Sequence, residues 1–198
     1  MNRTELKNWA KEKVKGKRWP LLLAIIIGSF LCSISIPLGE GKGNIPIGWV
    51  LYFIEVGLTF YLVNFINDKP GKLEDLFSFS KDFGRDLLVN LVQSIFVFLW
   101  SLLLIVPGII KGIAYSLVPM LLMDDQYKDL DVTSVIKKSE EMMNGHKMDY
   151  FVLQLSFIGW HLLAILTLGL LEIWIIPYQQ VAMTKFLYDV KTSFEGNK

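Results

Sequence analysis

The sequence predicts an all-α integral membrane protein with six transmembrane helices, arranged as three hairpins that are each preceded by an amphipathic interfacial helix. Apolar residues make up 53% of the 198 positions, and the mean hydropathy of +0.42 is too high for a chain of this length with one soluble core. Three long segments, 19–39, 87–110 and 150–171, contain no Asp, Glu, Lys or Arg. Basic residues accumulate in alternate intervals between the apolar segments, as they do around membrane spans.

The three charge-free segments are each long enough to cross a hydrocarbon core of about 30 Å at about 1.5 Å per helical residue. Three further spans fit at 46–67, 108–123 and 169–188, and they contain Glu55, Lys111 and Glu172 respectively. Helices are predicted because in lipid every backbone group must be hydrogen-bonded within its own segment. The outer connections are then short, and they are residues 40–45, a Pro107-Gly108 turn, and a turn near Thr167 to Gly169.

Orientation follows from the basic residues, which accumulate on the cytoplasmic side of membrane spans. All of the 20 Lys and Arg except Lys42 and Lys111 fall before the first span, between spans two and three, between spans four and five, or after the sixth span. The sequence therefore predicts a multipass membrane protein with both termini in the cytoplasm. It forms one membrane domain over residues 1–198, divided into an N-terminal amphipathic helix (1–18), hairpin 1 (19–67), a cytoplasmic helix (68–86), hairpin 2 (87–123), a second cytoplasmic helix (124–148), hairpin 3 (149–190) and a tail (191–198).

The cytoplasmic segments carry apolar residues at helical spacing, which predicts interfacial helices. The clearest stripe precedes hairpin 3, with Asp131 or Thr133 as its N-cap and Asn144-Gly145 as its end. Such helices either pack against the bundle and the headgroup layer or offer a docking face to a cytoplasmic partner. The three stripes are Leu6, Trp9, Ala10 and Val14; Leu73, Leu76, Phe77 and Phe83; and Val132, Val135, Ile136, Ser139, Met142 and Met143.

Three apolar stretches each carry one charge, Glu55, Lys111 and Glu172, and the next charge follows each of them after thirteen positions. A charge inside a span is costly, so it faces a partner or a water-filled cavity rather than lipid. Equal spacing predicts that the three lie at one depth and form a cluster in which Lys111 is the counter-ion. Two interpretations stay open: a structural clamp between hairpins, or a site linked to a proton or cation.

Two polar residues are possible neighbours of this cluster. His161 lies near the outer end of the fifth span and is interpreted either as a proton relay or as a hydrogen-bonded core residue. Tyr115 lies one helical turn beyond Lys111 and either orients it or packs in the core.

Several site classes lack the residues they need. The two histidines, His146 and His161, have no carboxylate or thiol at ligand spacing, so we predict neither a metal site nor a cofactor. No phosphate-binding loop, Ser-His-Asp set or zinc-protease motif is present, and we predict that the protein is not an enzyme. A net charge of +1 gives no indication of nucleic-acid binding.

Sequence motifs in hairpins 2 and 3 carry a family resemblance. The runs LIVPGIIKGIAY (104–115), KSEEMMNGHK (138–147) and LSFIGW (155–160), then Thr167-Leu-Gly169 and Pro177-Tyr178, resemble a bacterial integral membrane family known as domain of unknown function 975. The basic lead-in KGKRWP (15–20) is also similar to that family. The resemblance implies a plasma-membrane protein of Gram-positive type. It implies no established activity and no catalytic residues.

The sequence leaves two functional classes. The first is a non-enzymatic accessory or envelope protein that binds a protein partner, a lipid or a membrane-active compound, and one form of it is protective or immunity-like. The second is a small proton- or cation-linked transporter that uses Glu55, Lys111 and Glu172. Membrane lipids are expected partners in either class, and a protein partner or a homo-oligomer is compatible with both.

Overall fold

The computed structural model describes residues 2–32, 35–37, 44–46, 52–69, 72–77, 83–103 and 105–196. These residues are mainly helical, which confirms the predicted all-α class. A ribbon of two three-residue strands, β1 (Ser35–Pro37) and β2 (Asn44–Pro46), is antiparallel and pairs Ile36 with Ile45. The helices are α1 Arg3–Val14, α2 Arg18–Cys32, α3 Tyr52–Ile66, α4 Phe83–Leu103, α5 Ile105–Ala114, α6 Val118–Leu122, α7 Val132–Met142, α8 Lys147–Leu166 and α9 Glu172–Gly196, with 3-10 turns at Leu73–Phe77 and Asp125–Tyr127.

The helices begin and end at residues whose side chains or backbone conformations favour helix ends. Asp131 occupies the N-cap position of α7, as predicted, and its carboxylate accepts a hydrogen bond of 2.6 Å from the Thr133 hydroxyl. Gly145 has a φ of +84°, a left-handed conformation that glycine adopts without steric cost, and it separates α7 from α8 as predicted. The reversal between α8 and α9 uses Leu168 and Gly169, with φ of 52° and 84°, and the Gly169 N–H donates to the Ala164 carbonyl at 2.8 Å.

Hairpin 2 is built differently from the prediction. Pro107 and Gly108 lie within α5 rather than at the turn, and α5 folds back against α4. The two helices approach so closely that a Cβ on Gly108 would lie 2.2 Å from Ser101 Oγ. The predicted fourth span is two helices, α5 and α6, because α6 begins afresh with Pro119 in its first turn.

Two of the predicted amphipathic helices bury the predicted stripes. Leu6, Ala10 and Val14 of α1 are buried against α9. Val135, Ile136, Ser139, Met142 and Met143 are buried where α7 packs on α4 and α6, and the Ser139 hydroxyl donates to the Ala114 carbonyl at 2.8 Å.

The predicted cytoplasmic helix over 68–86 is not one α-helix. Residues 73–77 form a 3-10 turn, and residues from Phe83 onward already belong to α4. Leu76 is buried where this turn packs on α3, at a point where a Cβ on Gly57 would lie 2.2 Å from the Leu76 carbonyl oxygen. Glycine is needed there because the two backbones touch. The side chains of Leu73, Phe77 and Phe83, from the same predicted stripe, lie outside the described residues.

Two helices of the described part, Gly84–Leu102 and Lys147–Leu166, are long and apolar enough to cross a membrane. Three further apolar helical segments, Arg18–Ile27, Ile54–Ile66 and Val106–Leu122, are shorter. The two long helices are mostly uncovered by the rest of the fold, and their apolar side chains form the surface. Exposure is greatest at the α8–α9 reversal, where Leu166 is 81% and Leu168 95% exposed.

Candidate functional site: a polar cavity facing Glu55

The three predicted span charges do not share one set of partners. Lys111 on α5 forms an ion pair with Glu140 on α7, with 2.6 Å between Nζ and Oε1. Its ammonium group also lies over two rings, 5.4 Å from the Trp100 centroid and 5.9 Å from the Tyr115 centroid. The predicted proximity of Tyr115 to Lys111 is thus present. The counter-ion of Lys111 is a residue of the predicted cytoplasmic helix rather than Glu55 or Glu172.

Glu172 has a separate partner, His161, which was a predicted polar neighbour. His161 Nδ1 lies 2.9 Å from Glu172 Oε1, and His161 Nε2 lies 2.7 Å from Gln179 Oε1. Both ring nitrogens therefore face oxygen acceptors. Every bond is satisfied when the ring carries both protons and Glu172 is ionised, so the pair neutralises its own charge.

Glu55 is different, because its exposed side chain lines a cavity of about 520 Å³ between α3, α4, α5, α6, α8 and α9. Within the described residues no hydrogen bond or ion pair reaches its carboxylate. The Thr59 hydroxyl, one turn further along α3, donates to the Glu55 backbone carbonyl at 2.9 Å and not to the carboxylate. The carboxylate is thus left to whatever occupies the cavity.

The cavity wall carries neutral polar groups from four helices and one connection. They are Thr59 of α3, Asn90 and Gln93 of α4, Ser116 of the α5–α6 connection, Tyr150 of α8, and Gln180 and Thr184 of α9. The remaining described wall is largely aliphatic, and none of its residues is Lys, Arg or His. If ionised, Glu55 therefore carries the only formal charge of the described wall. A site of this kind is complementary to a cation that also has an apolar part.

An interruption between two helices places one of these polar groups at the cavity wall. The break between Ala114 and Val118 holds Ser116 beside the cavity, where its hydroxyl donates to the Ile113 carbonyl at 2.8 Å. Gln93 Oε1 is buried and has no hydrogen-bond partner in the described part of the chain. An unpaired buried acceptor is costly, so Gln93 indicates a donor that a ligand or water supplies.

Sequence reasoning singled out Glu55 but missed the amide and hydroxyl residues around it. A signal was available, since Asn90 and Gln93 lie three positions apart in a segment without charges, and Gln180 follows Gln179 in the sixth span. Residues three apart share a helix face. Charge alone was used as the marker of a buried site, and neutral polar groups were therefore overlooked.

Among the described residues, no group of three or more His, Cys, Asp or Glu side chains is arranged to hold a metal ion. The described wall combines one carboxylate with hydroxyl and amide groups. Such groups can hold a ligand by hydrogen bonds and by charge.

The fold and the site together define a class: a helical protein with exposed apolar hairpins around a polar cavity that contains one acid. Residues 102–193 match the family described as Protein of unknown function (DUF975), so this part of the chain is similar to that family. The match confirms the resemblance seen in hairpins 2 and 3. It includes the cavity residues of α8 and α9, whereas Glu55 and the α4 residues precede it. No curated protein and no solved structure matches the chain.

Proposed function

We propose that this protein is a non-enzymatic membrane accessory protein that binds a cationic, membrane-active compound in the cavity facing Glu55. The proposal includes a plasma-membrane location and a protective role. The observation that carries it is the Glu55 carboxylate, which has no protein partner among the described residues and faces about 520 Å³ of space lined by neutral polar and aliphatic groups.

The membrane location is supported by the exposed apolar surface. Contiguous apolar patches of this extent are rare on soluble monomers and are normal where lipid is the solvent. The exposed side chains cover much of α4 and α8 and the reversal before α9. Lipid contact also accounts for the tryptophans among them, since Trp is enriched at membrane interfaces.

The six-span arrangement with cytoplasmic termini remains part of the proposal. Two contacts constrain it: Lys111 meets Glu140, and the Arg18 guanidinium carbon lies 4.5 Å from the Trp174 ring centroid. Each contact joins a residue predicted near the cytoplasm to one predicted toward the outer side. Helix α7 therefore lies beside hairpin 2 rather than only beneath it, and α2 begins beside the start of α9.

Labelling of single cysteines tests this topology. In a Cys32→Ser background, Leu168→Cys at the α8–α9 reversal is expected to react with a membrane-impermeant maleimide on intact cells. Lys128→Cys, before α7, is expected to react only after permeabilisation. A Leu168→Cys protein that stays unlabelled on intact cells contradicts six spans and indicates that the third hairpin ends within the bilayer.

Ligand binding is tested with two ions of nearly the same shape and opposite charge. The purified full chain is titrated with tetraphenylphosphonium and with tetraphenylborate, and binding is measured by calorimetry. We expect the cation to bind the wild type and the Glu172→Gln protein, and to bind Glu55→Gln much more weakly. Equal binding of the two ions, or of the cation to wild type and Glu55→Gln, contradicts the proposal.

The protective role is tested by growth of a deletion strain against membrane-active peptides, detergents and quaternary ammonium compounds. The strain is rescued with wild type, Glu55→Gln or Glu172→Gln at matched abundance. We expect wild type and Glu172→Gln to restore growth and Glu55→Gln to fail. Rescue by all three proteins would mean that the Glu55 cavity has no part in protection.

A proton- or cation-linked transporter is the second candidate, and it is favoured by the same carboxylate. Because Lys111 and Glu172 have partners of their own, Glu55 is the coupling residue in this version. Transport is distinguished from binding by reconstitution in vesicles with a pH gradient. Accumulation of tetraphenylphosphonium that depends on the gradient and on Glu55 supports the transporter, whereas binding without accumulation supports the accessory protein.

A further inference from the structure

A second cavity lies between α1, the start of α2, α8 and α9, and its lining differs in charge from that of the Glu55 cavity. Its volume is about 450 Å³. One wall carries the basic side chains of Lys7, Lys11 and Arg18, and the opposite wall carries aromatic rings. We call this the basic groove. None of its described lining residues is acidic.

The cations of the basic groove are held by neutral groups. Lys7 Nζ donates to the Ser156 carbonyl at 3.2 Å and lies 4.4 Å from the Phe157 ring centroid. Arg18 stacks on Trp174. Ring and carbonyl contacts fix the position of a cation but leave its charge uncompensated.

Several other lysines of the described chain have carboxylate partners. Lys13 pairs with Asp68 at 2.5 Å, Lys111 with Glu140, and Lys191 with Asp124. No such ion pair reaches Lys7, Lys11 or Arg18 within the described residues. Glu172, the acid next to Trp174 in sequence, is held by His161. Positive charge is therefore concentrated in the groove.

The aromatic wall of the groove indicates that its ligand has an apolar part. Trp160 and Trp174 line it while remaining 50% and 54% exposed. Both belong to the surface that the proposed function places in the bilayer. A ligand that reaches the three cations from that surface carries an anionic head and an acyl tail, which is the chemistry of an anionic phospholipid.

We propose that the basic groove binds one anionic phospholipid, with its phosphate between Lys7, Lys11 and Arg18 and an acyl chain along Trp160 and Trp174. This rests on the membrane location in the proposed function but not on the Glu55 cavity. A negative result here therefore leaves the tetraphenylphosphonium experiment unaffected, and failure of that experiment leaves this one interpretable.

The test uses the full chain in nanodiscs that contain phosphatidylcholine and a small fraction of brominated lipid, either phosphatidylglycerol or phosphatidylcholine. Bromine on the acyl chain quenches nearby tryptophan, so in a protein whose other four tryptophans are replaced by Phe the fluorescence reports occupancy beside Trp160 and Trp174. We expect stronger quenching by brominated phosphatidylglycerol. Each basic residue near the membrane surface contributes about 1 kcal/mol, or about fivefold in affinity, so replacing all three by Gln should weaken binding by roughly a hundredfold.

A matched control removes the same number of charges elsewhere: Lys69→Gln, Lys128→Gln and Lys137→Gln together. We expect this variant to keep the preference for phosphatidylglycerol. Equal quenching by the two brominated lipids overturns the groove, and so does equal loss in both triple variants, which would indicate only diffuse attraction to a charged surface. Competition by inorganic phosphate at the concentration of the lipid headgroup would also overturn it, because the ligand would then be a free anion. Circular dichroism and gel filtration confirm that both variants are folded.

Discussion

Glu55 and Glu172 are both single acids in apolar stretches, yet the fold gives them opposite surroundings. Glu172 meets His161 at 2.9 Å, and Gln179 completes the histidine's bonding. Glu55 faces a cavity, and the described polar groups around it are neutral. Glu172 thus has a partner within the protein, whereas no described residue pairs with the Glu55 carboxylate. The comparison teaches that similar positions in apolar stretches do not give two acids similar surroundings.

The largest effect is expected at Glu55, on binding rather than stability. Glu55→Gln keeps the shape and removes the charge, so tetraphenylphosphonium should lose a Coulombic attraction of about 2 kcal/mol, roughly thirtyfold in affinity. The unfolding temperature should stay the same or rise, since no protein partner among the described residues is lost. Calorimetric titration and a thermal melt of the same sample measure both. A large fall in the melting temperature would mean that Glu55, like Glu172, stabilises the fold.

The second-largest effect is expected at Glu172, where the substitution should lower stability and leave ligand binding unchanged. Glu172→Gln leaves the His161 ring facing a neutral amide, and we expect a loss of about 1 kcal/mol in the free energy of unfolding, reduced from the value for a fully buried pair because both side chains are about a third exposed. Unfolding by denaturant in micelles measures it. Binding of tetraphenylphosphonium should match the wild type.

A double-mutant cycle tests whether the Glu172 effect belongs to the pair. His161→Gln and Glu172→Gln are measured singly and together. If the two losses simply add, the pair contributes nothing and the contrast with Glu55 loses its basis.

A smaller effect is expected at the ion pair that fixes α7 to α5. Lys111→Met removes the partner of Glu140, and a partly exposed pair of this kind contributes about 0.5 kcal/mol. Lys147 provides a matched control, because its Nζ lies 3.9 Å from the same Glu140 oxygen, against 2.6 Å for Lys111. Coupling energies from two cycles, Lys111 with Glu140 and Lys147 with Glu140, should rank in that order. The reverse order would mean that Lys111 acts elsewhere, for example toward the cavity.

Much of the fold could be predicted because its signals are local. The stripe of α7 repeats at three and four positions, and helical geometry turns that spacing into one buried face. The partner of Lys111 could not be predicted in this way. Glu140 lies 29 positions further along, on a helix that the charge pattern assigned to the cytoplasm. Glu55, Lys111 and Glu172 are equally spaced from the charges that follow them, but this did not bring them together at one site. Spacing along a chain does not determine which helices are in contact.

The Glu55 cavity could be predicted from the sequence only in part. Its acid could be predicted, since a charge in an apolar stretch is rare, whereas its neutral wall comes from four helices whose packing no single segment encodes. Pro119 contributes indirectly, because the helix break before it places Ser116 beside the cavity. Hairpin 2 departed from prediction for a similar reason: Gly108 is needed for the close approach to Ser101 rather than for a turn.

The smallest effect is expected at Asp131, an exposed acid at the start of α7 that can be compared with Glu55 and Glu172. Hydrogen bonds from Ser134 and Thr133 lower the pKa of Asp131 from 3.8 to about 2. A carboxyl whose pKa is depressed by folding stabilises the folded state above its unfolded pKa, and this contribution is lost as the pH falls from about 4 to about 2. Hydrogen exchange of the first turn of α7 in wild type and Asp131→Asn measures it. The protection that the ionised carboxylate adds should be present at pH 6 and vanish near pH 2, and a difference that is independent of pH would assign the cap to side-chain shape rather than charge.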